Sequence, residues 1–160
     1  MKLTEIVLKN GCSEEGCAVN SDSELMTDFV RKHYLLHFGH RNLEAILSDY
    51  DENAVIHSVV NGEYNCFRGS AEISQSFRNL FSLHVAGKSS FQLKQIVVEA
   101  GTKQSMGIWT AQTPNLVFKQ GHDTFQFNDQ GKIISQMYVA TVSPTEGQED
   151  NDAFAMAIMD

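Results

Sequence analysis

The chain has 160 residues, 42% of them hydrophobic and 20% charged, with a formal net charge of −8. That is the length and composition of one globular domain. No run approaches the roughly 18 apolar residues of a membrane span. An acidic chain without a basic stripe is not expected to bind nucleic acid through phosphates. Glu146, Glu149, Asp150, Asp152 and Asp160 supply five of the eight net charges, and no Lys or Arg stands among them. The first ten residues, interrupted by Glu5 and Lys9, make a poor secretory signal, so a cytoplasmic location is expected. Cys12, Cys17 and Cys66 form no Cys-x-x-Cys pair and predict neither a disulfide framework nor a zinc site.

Residues 1–20 read as a flexible leader. Ser21 and Glu24 have capping-box spacing, and Leu25, Met26, Phe29, Val30, Tyr34 and Leu36 recur at helical intervals until Gly39, a natural stop. Asn42 can cap a short second helix at 43–48. A β-branched strand at 54–60 ends in Asn61-Gly62, a strong hairpin turn, with its return arm at 64–67. Beyond Arg68-Gly69 a third helix at 71–84 carries Ile73, Phe77, Leu80 and Phe81 on one face. Strands follow at 91–100, 106–113, 116–127 and 133–142. In the first of these, Phe91 and Leu93 have one parity and Ile96 and Val98 the other. Such a slip of one residue is what a β-bulge produces, and bulges bend strands. Helices first and a long meander after them predict an α+β fold with a bent sheet. Residues 143–160 read as an acidic, disordered tail.

The most informative stretch is the last hairpin, where Asn128-Asp129-Gln130-Gly131 is turn chemistry. Alternation places His122, Thr124 and Gln126 on one face and Asp123, Phe125 and Phe127 on the other. A lone carboxylate among aromatic rings is costly to ionise and relieves that cost by a raised pKa. A protonated acid in apolar surroundings can donate a hydrogen bond to a ligand. The alternative is a purely structural polar pair, retained because an unpaired buried group costs about 1–3 kcal/mol. His33, His37 and His40 share one helical face but lack a His-Glu-x-x-His pattern and an obvious carboxylate partner. They read as histidines near a helix C-terminus, His33 and His40 solvated and His37 packing the last turn, with no metal. Trp109 lies in a strand of undecided parity, facing either the interior or a pairing surface.

The element order resembles the nuclear transport factor 2-like superfamily, which includes ketosteroid isomerase, scytalone dehydratase and the SnoaL-like polyketide cyclases. The matching segments are NLEAILSDYDENAVIH at 42–57 and GHDTFQFNDQGKI at 121–133, with Phe67-Arg68-Gly69 between them. The resemblance spans residues 21–142 and implies a cone-shaped, curved antiparallel sheet wrapped around three helices from the N-terminal half, also called cystatin-like. It speaks for a fold more than for an activity. By comparison with ketosteroid isomerase it implies catalytic roles for Tyr34, at the oxyanion tyrosine, and Asp123, at the neutral acid. Ser58 stands where that enzyme keeps its proton-shuttling aspartate, and a serine hydroxyl is far too weak a base for that task. His57, expected on the opposite face of its strand, replaces the base only if the register slips by one.

Ser58, His57, Trp109, Phe125, Gln136 and Tyr138 are the expected ligand-binding residues, suited to a mostly apolar molecule with one or two polar groups. No cofactor is implied. Two functions stay open. One is an isomerase, cyclase or dehydratase acting on a carbonyl-containing apolar metabolite. The other is a non-catalytic ligand-binding or dimerisation module. Ile133, Ile134, Met137 and Val139, apolar on both parities, favour a homodimer through the sheet.

Overall fold

The computed structural model describes residues 21–145, so the leader and most of the acidic tail lie outside the described residues. Helix α1 spans Ser21–Lys32, with Asp22 and Glu24 in its first turn and Arg31 and Lys32 in its last, the charge order that suits the helix dipole. The predicted single helix does not run unchanged to Gly39. It widens into a π-helical segment, His33–Phe38, marked by the i→i−5 bond from the Gly39 amide to the Tyr34 carbonyl at 2.9 Å. Gly39 itself keeps right-handed helical angles, and the chain leaves the segment at Arg41, whose φ is +53°. Helix α2, Leu43–Ser48, is capped by the Asn42 side chain, which accepts from the Ala45 amide at 3.0 Å.

Strand β1, Tyr50–Val60, starts four residues before the predicted 54, and β2 spans Glu63–Arg68. Asn61 and Gly62 between them both have positive φ, which is what the Asn-Gly pair signalled. Helix α3, Gly69–Ser82, is opened by Glu72, whose carboxylate accepts from the Arg68 amide at 2.7 Å. The remaining strands are β3, Ser90–Glu99; β4, Gln104–Gln112; β5, Leu116–Phe127; and β6, Ile133–Pro144. Strand β6 thus takes in Ser143 and Pro144, which the sequence reading places in the tail.

The six strands form one sheet in the order β2-β1-β6-β5-β4-β3. Its neighbours are antiparallel except β1 and β6, which run parallel. The register shifts between Leu93 and Gln95, at the place where the sequence parity changes. Further irregularities follow Trp109 in β4 and Phe118 in β5. These bulges curve the sheet about the helices: α3 packs on β1 and β2, and α1 on β3 and β4. Val30, Ile46, Ile73, Ile96, Phe125 and Ile133 are almost wholly buried between the layers. Each contributes about 1.5–3 kcal/mol through that burial.

Candidate functional site

Asp123 lies on the concave face of β5 and is 4% exposed. Three neutral donors converge on it. Tyr34 Oη and Trp109 Nε1 each donate to Oδ2 at 2.7 Å, and Gln136 Nε2 donates to Oδ1 at 2.7 Å. The Gln136 amide is itself oriented by Tyr50, whose hydroxyl donates to Oε1. The π segment and three strands therefore meet at one carboxyl group.

Local sequence explains how. Two strand glycines make room for the large donors. A Cβ on Gly107, which pairs with Asp123, would stand 2.3 Å from Tyr34 Oη. A Cβ on Gly121, which pairs with Trp109, would stand 2.3 Å from the indole ring. Neither position tolerates a side chain while the donors keep their places. Phe125 and Phe91 flank the Tyr34 ring, the first edge-on and the second stacked.

The electrostatics follow from that enclosure. Burial pushes the Asp123 carboxyl up from the ordinary aspartate value. The hydrogen bonds from Tyr34, Gln136 and Trp109, and the nearby His33, pull the other way without cancelling it. Burial first, and the charge of Asp123 second, also raise the phenols of Tyr34, Tyr50 and Tyr138. All three tyrosines stay protonated, and Tyr34 and Tyr50 serve as donors.

The structure gathers most of the expected residues on one face. Asp123 pairs with Tyr138 in β6, which pairs with Ser58 in β1, so the three form a row across the sheet. Phe125, Gln136 and Trp109 share the same face and are buried. The parity of Trp109, open in the sequence, is settled as inward. His57 is the exception. It faces outward, stacked on Tyr64 and hydrogen-bonded to its hydroxyl at 2.9 Å, so no register slip brings it to the base position.

A second correction concerns the histidines. His40 is exposed, but His33 is buried, and His33 Nδ1 and His37 Nδ1 both meet Asp49 Oδ2, at 2.8 and 2.7 Å. The widened turn brings the two rings to one side, and α2 delivers Asp49 just before β1. The sequence reading missed Asp49. The available signal was an i, i+4 histidine pair followed, across a turn and a short helix, by an acidic residue. Among the described residues no group of three or more His, Cys, Asp or Glu is arranged to hold a metal ion.

The family model of the SnoaL-like domain matches residues 30–136. The chain belongs to the SnoaL-like domain family. No curated protein matches it in sequence. Among solved structures, the fold is similar to the epoxide hydrolase/cyclase-like enzyme SalBIII of pyran ring formation in polyether salinomycin. That match has a TM-score of 0.65 at 15% identity and covers 78% of this chain and 98% of that one. A steroid delta-isomerase from Pseudomonas aeruginosa matches at TM-score 0.56 and 16% identity, over 81% of this chain and 85% of that one. A cystatin-like protein from Methylobium petroleophilum matches at 0.59 and 20%, over 84% and 90%. At these identities the likeness establishes the fold alone. This SnoaL-like domain thus has the cystatin-like architecture that its element order implied, and no described helix is long and apolar enough to cross a membrane.

Proposed function

We propose that the concave face around Asp123 binds a small, largely apolar carbonyl compound and stabilises charge on its oxygen, as an isomerase, cyclase or dehydratase does. The observation that carries this reading is a carboxyl group 4% exposed among aromatic rings and held by three neutral donors. Oδ2 takes two donors and Oδ1 only one. Oδ1 therefore keeps the lone pair on which a proton resides when Asp123 is neutral. A neutral Asp123 donates that proton in a hydrogen bond to a ligand oxygen, and developing negative charge on that oxygen strengthens the bond. Tyr34 fixes the orientation of the acid through Oδ2. Ser58, buried in the same row, is a hydrogen-bond group for the ligand or for a water, since its hydroxyl cannot act as the base. The family match and the isomerase and cyclase-like neighbours support the same class of chemistry by analogy.

Thermal melting against panels of carbonyl-bearing steroids, polyketides and terpenoids tests this. At least one class should raise the melting temperature of the wild type and raise that of Asp123→Asn less. Stabilisation by none of them, or equal stabilisation of the variant, contradicts the reading.

The same reading includes a second copy of the chain over the outer face of the sheet. Val55, Val59, Met106, Ile108, Met137 and Val139 point outward there with no Asp, Glu, Lys or Arg between them. Copies that each carry a net charge of −8 approach with least repulsion on such a face. Sedimentation equilibrium should give a dimer that Met137→Lys dissociates, and a monomeric wild type contradicts it.

A further inference from the structure

Two side-chain hydroxyls among the described residues are buried without a hydrogen-bond partner, Ser105 Oγ and Tyr138 Oη. Native structures keep few such groups, and each calls for an account. Tyr138 stands directly beside Asp123 in the sheet, as its Cα partner across β5 and β6. Its ring lies parallel to Trp109, with centroids 5.8 Å apart and planes at 4°. The tyrosine reaches that ring past Gly121, where β5 has no side chain. The ring is half-buried while the hydroxyl is sealed off.

The protons of the neighbouring donors are already committed. Tyr34 and Trp109 both donate to Asp123 Oδ2, and Gln136 donates to Oδ1. Were a ligand oxygen to take the Tyr34 proton, Asp123 would lose a donor in a closed site. Among the described residues Tyr138 gives its proton to nothing, so its bond to a ligand costs no existing one.

We propose that the hydroxyl of Tyr138, rather than that of Tyr34, donates the hydrogen bond to the oxygen of the bound molecule, a ketone, enol or phenol oxygen on a flat apolar body. This rests on the reading of the concave face as the ligand site. A flat apolar body suits the aromatic surroundings of this hydroxyl, whose ring is stacked on Trp109. Tyr34 is then a positioning residue, acting on the ligand through Asp123.

Calorimetric titration with 4-nitrophenol, a flat aromatic bearing one such oxygen, tests the assignment. Quenching of Trp109, the only tryptophan in the chain, reports the location. The wild type should bind. Tyr138→Phe should weaken binding about tenfold or more, as loss of a bond to a charged oxygen does. Tyr34→Phe should weaken it less. Without the probe, Tyr138→Phe should melt at or above the wild-type temperature, because an orphaned hydroxyl is removed, and Tyr34→Phe below it. Wild-type affinity in Tyr138→Phe, a larger loss in Tyr34→Phe, or a lowered melting temperature for Tyr138→Phe overturns the inference alone. Failure of the wild type to bind removes the ligand-site reading and this inference together.

Discussion

The SnoaL-like domain buries two carboxylates within reach of the same helical segment, and they are solvated by different chemistry. Asp49 meets two imidazoles through one oxygen. Asp123 meets a phenol, an indole and an amide. A phenol, an indole and an amide donate hydrogen bonds but carry no compensating positive charge. Burial of Asp123 is therefore offset by a raised pKa. Residue type does not decide the role of a buried acid; the groups packed around it do. Asp49 ties the π segment to the start of β1, and Asp123 is left as an acid that can hold a proton.

Substitutions can break this contrast, from large effects to small. Asp49→Ala leaves the His33 and His37 imidazoles without their shared partner and should cost about 1–3 kcal/mol for each ring nitrogen left unpaired. Urea unfolding measures it, and a loss of a few tenths would reduce the Asp49 cluster to surface chemistry. Gly107→Ala forces a methyl group against Tyr34 and should cost about 1–3 kcal/mol by overpacking. It should also lift the phenol from Asp123, which a changed Asp123 carboxyl carbon shift would show. Tyr34→Phe leaves Asp123 one donor short and should cost about 1–3 kcal/mol in the same unfolding assay.

Asp123→Asn has the smallest effect and sharpens the comparison most. The carboxamide oxygen of that variant would accept from Tyr34 and Trp109. The Gln136 amide can turn over to accept from the new NH₂ group while donating to Tyr50. The Tyr50 proton then loses its acceptor, so a loss of only about 1 kcal/mol is expected. Its pH dependence should change. With the folded pKa raised above the unfolded one, the folded state binds more protons between the two values. Wild-type stability therefore falls as pH rises from the ordinary aspartate value toward that of folded Asp123, then levels off. The variant should lack that slope, and an unchanged slope would assign it to another group.

The fold was largely legible because local rules and the global pattern agree. Asn61-Gly62, Asn42 and the parity change in β3 each state their structure within a few residues. Half of the site was legible for the same reason. Strand alternation alone groups Asp123 with Phe125, and helical spacing places Tyr34 on the inner margin. The remainder depends on contacts that no local window contains. Asp49 lies 16 residues from His33, and a π turn has no clear sequence signal. The direction of Trp109 is hidden by the bulge that follows it, although Gly107 and Gly121, isolated in strands, announce close approach of something large.

The most direct test of the account is a carbon-detected NMR titration of the Asp123 side-chain carboxyl in the full chain. A midpoint well above that of an ordinary aspartate, moving down when Phe125 is replaced by a smaller residue that admits water, is the predicted result. A midpoint at or below the ordinary value would show a carboxylate fully stabilised by its three donors, and the neutral acid at the centre of this site would be gone.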